Sequence, residues 1–447
     1  MSQFTIHGGE KLTGEIVPQG AKNEALQIIP ASLLYVGVTL IHNVPDILDV
    51  RNLIGLLRDA GAKIKWIENK DNENKTFCKT VSIDNTNINA EYFISNEFVE
   101  SSKKLRGSLT LLGPALARFR KCIVPKPGGD KIGERPIDTH LLGLRELGVT
   151  YKVDKTNNNV FADAKNLKPA DFILDEASVT GTANILMAAT AAIGVTTIYN
   201  AACEPYIQQL CKYISSLGFQ ISGSGTNLIK IESQNENKIS KKIVEHHILP
   251  DFLEVASLVG LAAITNSLIT IKNVRVDMLG NTMMAFRKIG VNFSIEKDNI
   301  VMHDNSCYVV PNGDRGTVPT IYDQPWPMIS PDVISIILTT AIQAKGTVMI
   351  HQRMFESRLH FVDNLQRMGA QIILCDPHRA VVVGLNRNKK LIGARIESPD
   401  IRAGMAMLIA AISADGVSVI QNIEQIDRGY ENIDVRLSKL GAKIVRS

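Results

Sequence analysis

The 447-residue sequence lacks the usual marks of secreted, disulfide-stabilised or membrane proteins. Residues 1–11 contain no basic segment followed by an apolar run, so no secretory signal is expected. Six cysteines occur without a C-x-x-C pair, and a chain of this length does not need disulfides, which predicts free thiols. The most membrane-like stretch, Ala25 to Ile41, contains Pro30 and Gly37 and predicts a buried helix followed by a buried strand. We therefore expect a cytoplasmic globular protein.

Patterns for metal or nucleic-acid binding are also missing. The one histidine cluster, His246-His247, has no neighbouring cysteine and no H-E-x-x-H pattern, so a solvated loop is expected there and no metal. The net charge is +4, without a lysine-rich arm or a stripe of arginine and aromatic residues. This mild positive charge suits a small anionic ligand. No nucleic acid, membrane or obligate protein partner is indicated.

What the sequence does contain is one α/β repeat, present six times. Each repeat has an apolar helix, a short apolar strand and a second helix that ends at a glycine. These glycines recur at intervals of about 75 residues, which indicates a repeated supersecondary structure; they are Gly61, Gly148, Gly218, Gly290, Gly369 and Gly441. Glycine is the usual stop at a helix C-terminus. Several first helices are apolar nearly all round, which predicts burial in a core, and the chain length predicts two domains.

Charged residues recur where the apolar helices are predicted to start. Helix capping is sufficient to explain aspartates there, as at Asp251, Asp332 and Asp400. Cations such as Lys22, Arg106 and Arg402 oppose the helix dipole, so they need a nearby anion. Because free backbone N–H groups at helix starts favour anions, these positions predict an anion-binding site.

The loops that follow the strands are the second recurring position. They carry Asp49, Arg358 and the segments Glu204-Pro205 and Asp427 to Tyr430. The loop Pro127 to Pro136 has several glycines among charged residues. Its Pro-Gly-Gly-Asp start is typical of a β-turn, but the whole loop also suits a mobile lid that clamps phosphate.

Together these residues resemble the enolpyruvyl transferase family over essentially the full length of the chain. Within the family, the resemblance is to the branch that uses UDP-N-acetylglucosamine. The most specific matches are Gly20 to Asn23, Leu112 to Arg118, Pro127 to Pro136, Asn200 to Ala202, Glu204-Pro205, Leu249 to Asp251 and Asp427 to Glu431.

The resemblance implies a fold of the α/β (α+β) class, a two-domain inside-out α/β barrel with three repeats per domain. Residues 1–21 plus 250–447 would form the C-terminal domain. Residues 22–249 would form the N-terminal domain, which carries the mobile loop Pro127 to Pro136. The domains would close around the substrates.

The implied reaction transfers the enolpyruvyl group of phosphoenolpyruvate to the 3-hydroxyl of UDP-N-acetylglucosamine through a tetrahedral adduct, releasing phosphate. This would be the first committed step of peptidoglycan synthesis, and it needs no cofactor. One alternative is the sister branch with shikimate 3-phosphate as acceptor, against which the loop Pro127 to Pro136 and the segment Asp427 to Tyr430 argue. Another is a catalytically silent homologue that binds a UDP-sugar.

The resemblance also assigns residues by motif. Those for phosphoenolpyruvate are Lys22, Asn23, Arg135 and Arg428. Those around the UDP-sugar are Arg106, Arg135, Pro136, Ile137, Asp138, Thr139, Ala177, Ser178, Val179, Asp332 and Met354. Catalytic roles would fall to Lys22, Arg428, Asp130 as proton donor and Asp332 as base, with Asp49, Asp251, Arg358, Asp400 and Arg402 in support.

Three positions depart from the family pattern. Asp130 stands where many members carry the proton-donating cysteine that fosfomycin alkylates, so insensitivity to fosfomycin is expected. A free thiol has a pKa of about 8.5 and a free aspartate about 3.9, so Asp130 needs a raised pKa to donate a proton at neutral pH. Glu176 and Thr180 stand where members often carry Lys and Gly, which puts part of the nucleotide contact in doubt. Glu176 is expected to be only a favourable charge in the first turn of a helix.

Overall fold

The computed structural model describes residues 2–68, 79–125, 136–157, 159–234, 243–356 and 358–447. Its α-helices are α1 (Lys22–Ala31), α2 (Leu48–Asp59), α3 (Asn96–Ser102), α4 (Leu112–Phe119), α5 (Asp138–Glu146), α6 (Val179–Ala189), α7 (Pro205–Ser216), α8 (Phe252–Thr265), α9 (Thr282–Lys288), α10 (Ile334–Ala341), α11 (Val362–Arg367), α12 (Ile401–Ser413), α13 (Glu424–Asp427) and α14 (Ile433–Ser438). Short 3-10 helices span Ser32–Leu34, Ala90–Ile94, Arg106–Leu111, Val276–Met278 and Asp314–Gly316.

The strands lie between these helices along the chain, singly or in groups of two or three. They are β1 (Gln3–His7), β2 (Thr13–Ile16), β3 (Val38–Val44), β4 (Lys63–Glu68), β5 (Lys79–Asp84), β6 (Lys121–Ile123), β7 (Thr150–Val153), β8 (Val160–Asp163), β9 (Asp171–Ile173), β10 (Gly194–Tyr199), β11 (Gln220–Ser222), β12 (Leu228–Ser233), β13 (Ile243–His247), β14 (Leu268–Ile271), β15 (Phe293–Glu296), β16 (Asn299–Met302), β17 (Thr320–Tyr322), β18 (Thr347–His351), β19 (Gln371–Asp376), β20 (Arg379–Val383), β21 (Arg395–Glu397), β22 (Val417–Gln421) and β23 (Lys443–Arg446).

The described residues fall into two compact bodies. We call the body between Gly20 and Leu249 the central half; the terminal half contains the residues up to Gln19 and from Pro250 onward. The central half contains the sheets β13-β3-β5-β4, β6-β8-β7 and β11-β12-β10-β9. The terminal half contains β21-β22-β1-β23, β15-β16-β14-β2 and β17-β18-β20-β19. The predicted α/β class with six repeats, three in each half, is confirmed.

The first helix of each repeat lies inside its half. In the terminal half, α8, α10 and α12 pack against one another, and every residue of α8 is buried. A helix that is apolar on all sides must be surrounded by protein, so the helices form the interior and the sheets cover them. The prediction of buried helices from their composition is confirmed.

The six helix-ending glycines all adopt a left-handed conformation. Their φ angles are 101° at Gly61, 92° at Gly148, 96° at Gly218, 86° at Gly290, 96° at Gly369 and 108° at Gly441. A residue with a Cβ atom is strained at such angles, which is why glycine ends these helices. At Gly290 a Cβ atom would also lie only 2.3 Å from the carbonyl oxygen of Val309.

The start of the chain completes two sheets of the terminal half. Strand β1 lies between β22 and β23 and is antiparallel to both. Gln3 and Ser447 exchange backbone hydrogen bonds of 2.8 and 3.0 Å. Strand β2 runs parallel to β14. Residues near the two ends of the sequence therefore share one sheet.

The structure also tests three local predictions. The stretch Ala25 to Ile41 forms most of α1, a 3-10 turn and the first part of β3, as predicted. In the described ranges, none of the helices has the length and apolar character needed to cross a membrane. The prediction of a solvated loop at His246-His247 is wrong. Both residues belong to β13, which pairs in parallel with β3, a partner about 200 residues away that local sequence does not reveal.

Candidate active site

The charged residues predicted at helix starts do lie there. Lys22 is the first residue of α1. Arg106 begins the 3-10 segment that leads into α4, and Arg402 lies in the first turn of α12. In this part the prediction from sequence periodicity is confirmed.

Helix capping explains two of the three aspartates at helix starts in the terminal half. Asp251 accepts a hydrogen bond of 3.0 Å from the Leu253 N–H at the start of α8. Asp400 accepts bonds of 2.7 and 2.9 Å from the N–H groups of Arg402 and Ala403. Asp332 differs, because α10 begins after Val333 and no side-chain cap is formed there. Its carboxylate instead bonds to arginine side chains.

Asp332 is shared by two guanidinium groups. Arg358 Nη2 lies 2.5 Å from its Oδ1 atom, and Arg402 Nε lies 3.2 Å from its Oδ2 atom. The side chain of Asp332 is 20% exposed, whereas that of Arg402 is 5% exposed. Charged hydrogen bonds of this kind offset the cost of burying the arginines. The carboxylate thus presents an accessible edge while its arginines lie behind it.

A chain of hydroxyl groups fixes Arg402 from the other side. Arg402 Nη1 donates to Tyr430 Oη at 3.0 Å, and Tyr430 lies 2.9 Å from Ser257 Oγ. Ser257 donates its proton to the Leu253 carbonyl oxygen, so Tyr430 must donate to Ser257. Burial raises the pKa of Tyr430, which keeps the phenol neutral. Burial opposes the charge of Arg402, but Tyr430, Asp332 and Asp251 raise the pKa of its guanidinium.

A buried carboxylate orders the loop that carries Met354. Asp323 is fully buried and accepts hydrogen bonds from the Gln352 side chain and from the Arg353 and Met354 N–H groups. Burial raises the pKa of Asp323, although the two backbone bonds oppose the shift. Met354 itself is 37% exposed. Asp323 was not predicted from the sequence, and Tyr430 was named only within the segment Asp427 to Tyr430, because the partners of both side chains are distant in the chain.

In the central half, Lys22 pairs with Asp49. Lys22 Nζ lies 2.7 Å from Asp49 Oδ2, with side-chain exposures of 7% and 4%. Asp49 lies in the first turn of α2. This is the anion that a cation at the start of a helix requires. The pair joins the two recurring positions of the first repeat, a helix start and the loop after a strand.

Glu24, one position after Asn23, ties α1 to the end of β13. Its Oε1 atom lies 2.8 Å from His246 Nε2, and its Oε2 atom accepts a 3.1 Å bond from the Leu249 N–H. The ring of Tyr213 contacts His246 edge-on at 5.8 Å. Burial raises the pKa of Glu24, while the bonds from His246 and Leu249 oppose that shift. His246 therefore anchors the helix that carries Lys22.

His140 is held as a neutral ring. Asn184 Nδ2 donates to His140 Nδ1 at 2.9 Å, because the Oδ1 atom of Asn184 is occupied by the Gly113 N–H. His140 Nε2 therefore carries the proton and donates to Thr180 Oγ1 at 3.0 Å. Burial, followed by the charge of Arg106, lowers the pKa of His140 to about 4. Thr180, one of the departures from the family pattern, thus has a definite structural partner.

The segments predicted to surround the UDP-sugar meet at two helix starts. Ile137 and Asp138 begin α5, and the Thr139 hydroxyl donates to Asp175 Oδ1 at 2.7 Å. Ser178 caps α6 by accepting the Gly181 N–H at 3.2 Å. The prediction for Glu176 is wrong. Glu176 is exposed and precedes the cap, because the helix begins only at Val179.

The remaining predicted residues lie on the same elements or outside the described ranges. Asn23, Ala177 and Val179 are half-buried, and Pro136 is exposed. Arg428 Nη1 donates to Gln425 Oε1 at 2.8 Å. Asp130 and Arg135 lie outside the described residues. Among the residues that are described, no group of three His, Cys, Asp or Glu side chains could hold a metal ion.

Comparison with known proteins identifies the family. A family model for EPSP synthase (3-phosphoshikimate 1-carboxyvinyltransferase) matches residues 6–437. The chain belongs to this family. It is 51% identical to the UDP-N-acetylglucosamine 1-carboxyvinyltransferase of Bacteroides thetaiotaomicron and 50% identical to that of Porphyromonas gingivalis, covering 100% of each chain. The Bradyrhizobium diazoefficiens protein of the same name is 43% identical, over 99% of this chain and 98% of the relative.

Solved structures of the family share the fold. The enolpyruvyl transferase NikO from Streptomyces tendae matches with a TM-score of 0.83 at 20% identity, covering 100% of this chain and 99% of that one. EPSP synthase from Acinetobacter baumannii matches with a TM-score of 0.69 at 17% identity over 100% of both chains. At these identities the likeness concerns the fold alone.

Proposed function

We propose that the chain transfers the enolpyruvyl group of phosphoenolpyruvate to the 3-hydroxyl of UDP-N-acetylglucosamine. The observation that carries this proposal is the 50–51% identity, over full length, to curated relatives named UDP-N-acetylglucosamine 1-carboxyvinyltransferase. It favours the UDP-sugar over shikimate 3-phosphate as acceptor. The reaction would be the first committed step of peptidoglycan synthesis. Because both substrates are phosphorylated metabolites of the cell interior, we place it in the cytoplasm.

In the proposed reaction, the sugar oxygen bonds to C2 of phosphoenolpyruvate while C3 gains a proton. The tetrahedral adduct then loses a proton from C3 and expels phosphate, which restores the double bond. Asp332 is our candidate to accept the proton of the attacking hydroxyl. Its support is geometric, since its carboxylate is partly exposed and is oriented by Arg358 and Arg402.

Cationic side chains are our candidates for binding phosphoenolpyruvate. In the central half, Lys22 lies at the start of α1, where backbone N–H groups also favour anions. Asn23 follows it in the same turn. Arg428 follows α13 in the terminal half, and Arg135 is assigned by motif. Fixed charges of this kind stabilise the developing oxyanion, often the largest contribution to catalysis.

We propose Asp130 as the general acid that protonates C3, because it occupies the proton-donor position of the family motif. Bound phosphoenolpyruvate and exclusion of water would raise its pKa, while Lys131 and Arg135 would oppose that. The loop Pro127 to Pro136 would act as the lid when residues 22–249 and residues 1–21 plus 250–447 close around the substrates.

The overall reaction is tested with the purified protein and both substrates. Phosphate release and an enolpyruvyl-UDP-sugar of the correct mass are expected. Replacing the acceptor with shikimate 3-phosphate serves as the control and should give no phosphate. Release with shikimate 3-phosphate alone would reverse the assignment, and binding of the UDP-sugar without product would favour a silent homologue.

The role of Asp130 is tested separately. Asp130→Ala should lower turnover by about 10²-fold or more, as expected for loss of a general acid. The wild type should resist fosfomycin, because a carboxylate is a poor partner for its epoxide, and Asp130→Cys should become sensitive. Near-normal turnover by Asp130→Ala, or covalent inactivation of the wild type, would contradict the assignment.

A further inference from the structure

The turn that carries Arg428, residues 427 to 431, is held by hydrogen bonds on both sides. Arg446 in β23 makes two 2.8 Å bonds to the Asp427 carboxylate. On the other flank, the Gln19 side chain donates to the Gly429 carbonyl oxygen at 2.8 Å and accepts the Glu431 N–H at 2.7 Å. The Gln19 amide therefore spans the two peptide groups that enclose Tyr430.

Gln19 is itself fixed at every polar group. Its side chain is almost completely buried, at 6% exposure. Its backbone N–H donates to Glu254 Oε2 at 2.6 Å, and its backbone oxygen accepts the Asp251 N–H at 2.8 Å. Arg436 holds the Glu254 carboxylate in turn. A buried amide with both ends bonded has one orientation only, so Gln19 sets the position of the turn.

The turn has little freedom to adjust by itself. A Cβ atom at Gly429 would lie 2.3 Å from Ile401 Cγ2, so the backbone there lies directly against α12. Tyr430 has its own anchors in Arg402 and Ser257. Arg428 is the residue before Gly429, and the bonds to Arg402 and Ser257 are made by the Tyr430 side chain alone. Loss of the Gln19 bonds should therefore affect Arg428 more than Tyr430.

We infer that Gln19 is a positioning residue for Arg428, acting through the backbone of the turn. The inference rests on the proposed function, in which Arg428 binds phosphoenolpyruvate. It distinguishes the two substrates, since the acceptor would meet Asp332 and its arginines, which are held by bonds to one another and to Tyr430, whereas the Gln19 amide bonds to the backbone of the turn. Gln19 should therefore influence the KM for phosphoenolpyruvate and leave the KM for UDP-N-acetylglucosamine unchanged.

The first test is Gln19→Met, which keeps the length of the side chain and removes both hydrogen bonds. The KM for phosphoenolpyruvate should rise about tenfold, the effect expected for two lost bonds to a binding turn. The KM for UDP-N-acetylglucosamine should stay within about twofold, and kcat should fall less than the KM rises. Gln343→Met is the matched control. Gln343 is a buried glutamine of the same half that donates one 3.3 Å bond to the Lys389 carbonyl oxygen, and its loss should change neither KM.

The second test is Gln19→Glu, measured from pH 6 to pH 8.5 relative to the wild type at each pH. A protonated carboxyl has one O–H donor and one acceptor and so reproduces the amide, whereas a carboxylate cannot donate to the Gly429 carbonyl. Burial and the nearby acidic groups favour the protonated form, and the nearby arginines oppose it; these groups are Glu254, Asp251, Glu431, Asp427, Arg436 and Arg428. The KM for phosphoenolpyruvate should approach the wild-type value at pH 6 and rise towards that of Gln19→Met at pH 8.5.

The outcomes separate this inference from the proposed function. An unchanged KM in Gln19→Met, an equal rise in both KM values, or a pH-independent Gln19→Glu would overturn the positioning role while wild-type turnover stands. A wild type that forms no product would contradict the proposed function instead. In that case calorimetric titration of phosphoenolpyruvate into the wild type and both variants makes the same comparison without turnover. If Gln19→Met does not fold, Gln19→Glu at the two pH limits decides the question.

Discussion

The two halves of the protein hold their site charges in different ways. In the central half one cation, Lys22, faces one carboxylate, Asp49, and both are almost fully enclosed. In the terminal half one carboxylate, Asp332, lies between Arg358 and Arg402 and remains partly exposed. In the proposed reaction an anionic substrate would have to compete with Asp49 for Lys22, whereas Asp332 and its two arginines together carry more positive than negative charge. In that proposal the central half would select an anion and the terminal half would orient a carboxylate.

The side chains behind these charges differ as well. His140 and Glu24 in the central half have pKa values shifted by burial, in opposite directions. Behind Asp332, the contacts are made by arginine and neutral hydroxyl groups, which do not titrate near neutral pH. Acid should therefore protonate His140 and Glu24 before it changes the groups that hold Asp332.

Removing the carboxylate of the terminal half should have the largest effect. Asp332→Asn keeps the shape of the side chain but cannot accept a proton from the sugar hydroxyl, so kcat should fall by about 10²- to 10⁴-fold. Phosphate release under saturating substrates measures this effect. Asp277→Asn, which breaks the exposed ion pair with Arg275 in the same half, is the control and should retain full activity. A loss smaller than tenfold would remove Asp332 from the role of base.

Removing the cation of the central half should come next. Lys22→Met should lower kcat/KM for phosphoenolpyruvate by about 10²- to 10³-fold, as for the loss of one group that stabilises an oxyanion. It should also lower the melting temperature, because the Asp49 carboxylate stays buried beside an apolar side chain. The double variant with Asp49→Asn should recover stability but not activity.

Lys79→Met is the control for the previous comparison. Lys79 pairs with Asp46 in the same half but is 30% exposed, so its loss should affect stability and activity little. If Lys22→Met and Lys79→Met give the same kcat/KM, Lys22 does not bind substrate.

The titration of His140 should make the acid stability of the protein depend on the central half. Its pKa is lowered from 6.5 to about 4, so its stabilising contribution is complete above pH 6.5, falls as the pH drops from 6.5 towards 4, and is fully lost below 4. A shift of this size corresponds to about 3 kcal/mol. Urea unfolding should show that the wild type loses about that much more than His140→Gln between pH 7 and pH 4. His360→Gln, at an exposed position, should follow the wild type; equal pH profiles for all three proteins would contradict the prediction.

The smallest expected effect is that of Thr180→Val. The valine keeps the shape of threonine but leaves the His140 Nε2–H group without its acceptor, so the free energy of unfolding should fall by about 1 kcal/mol. Urea unfolding at pH 7 measures this difference. Thr226→Val, at an exposed turn, is the control. A variant as stable as the wild type would mean that the Thr180 contact contributes nothing to stability.

Features with a local signal could be predicted from the sequence. The left-handed glycines and the buried helices follow from helix stops and from composition, and the caps at Asp251 and Asp400 were anticipated as an alternative to ligand binding. Contacts with remote partners could not be predicted, as with His246, whose neighbour Glu24 precedes it by more than 200 residues. The prediction for Glu176 was wrong for a different reason, since residues that precede a helix N-cap resemble residues of the first helical turn.

The residues of the candidate site could be predicted from the sequence, but the contacts between them could not. Lys22, Arg402 and Asp332 were selected by helix position and by motif, yet nothing in their spacing shows which carboxylate meets which cation. The bonds of Gln19 to Gly429 and Glu431 span more than 400 residues. Such contacts are set by the way repeats pack, and a single sequence does not encode that packing in a readable pattern.

The position of β1 has a consequence for how the protein is made. A ribosome produces β1 before the described strands of the central half, and its two neighbours, β22 and β23, after them. The sheet that contains β1 cannot close until β22 and β23 have been synthesised, whereas every described strand of the central half has been synthesised by His247. Because domains fold as units during synthesis, the central half should fold while the chain is still growing. Until β22 and β23 have been synthesised, β1 has no partner strand in its sheet, although it is rich in β-forming residues.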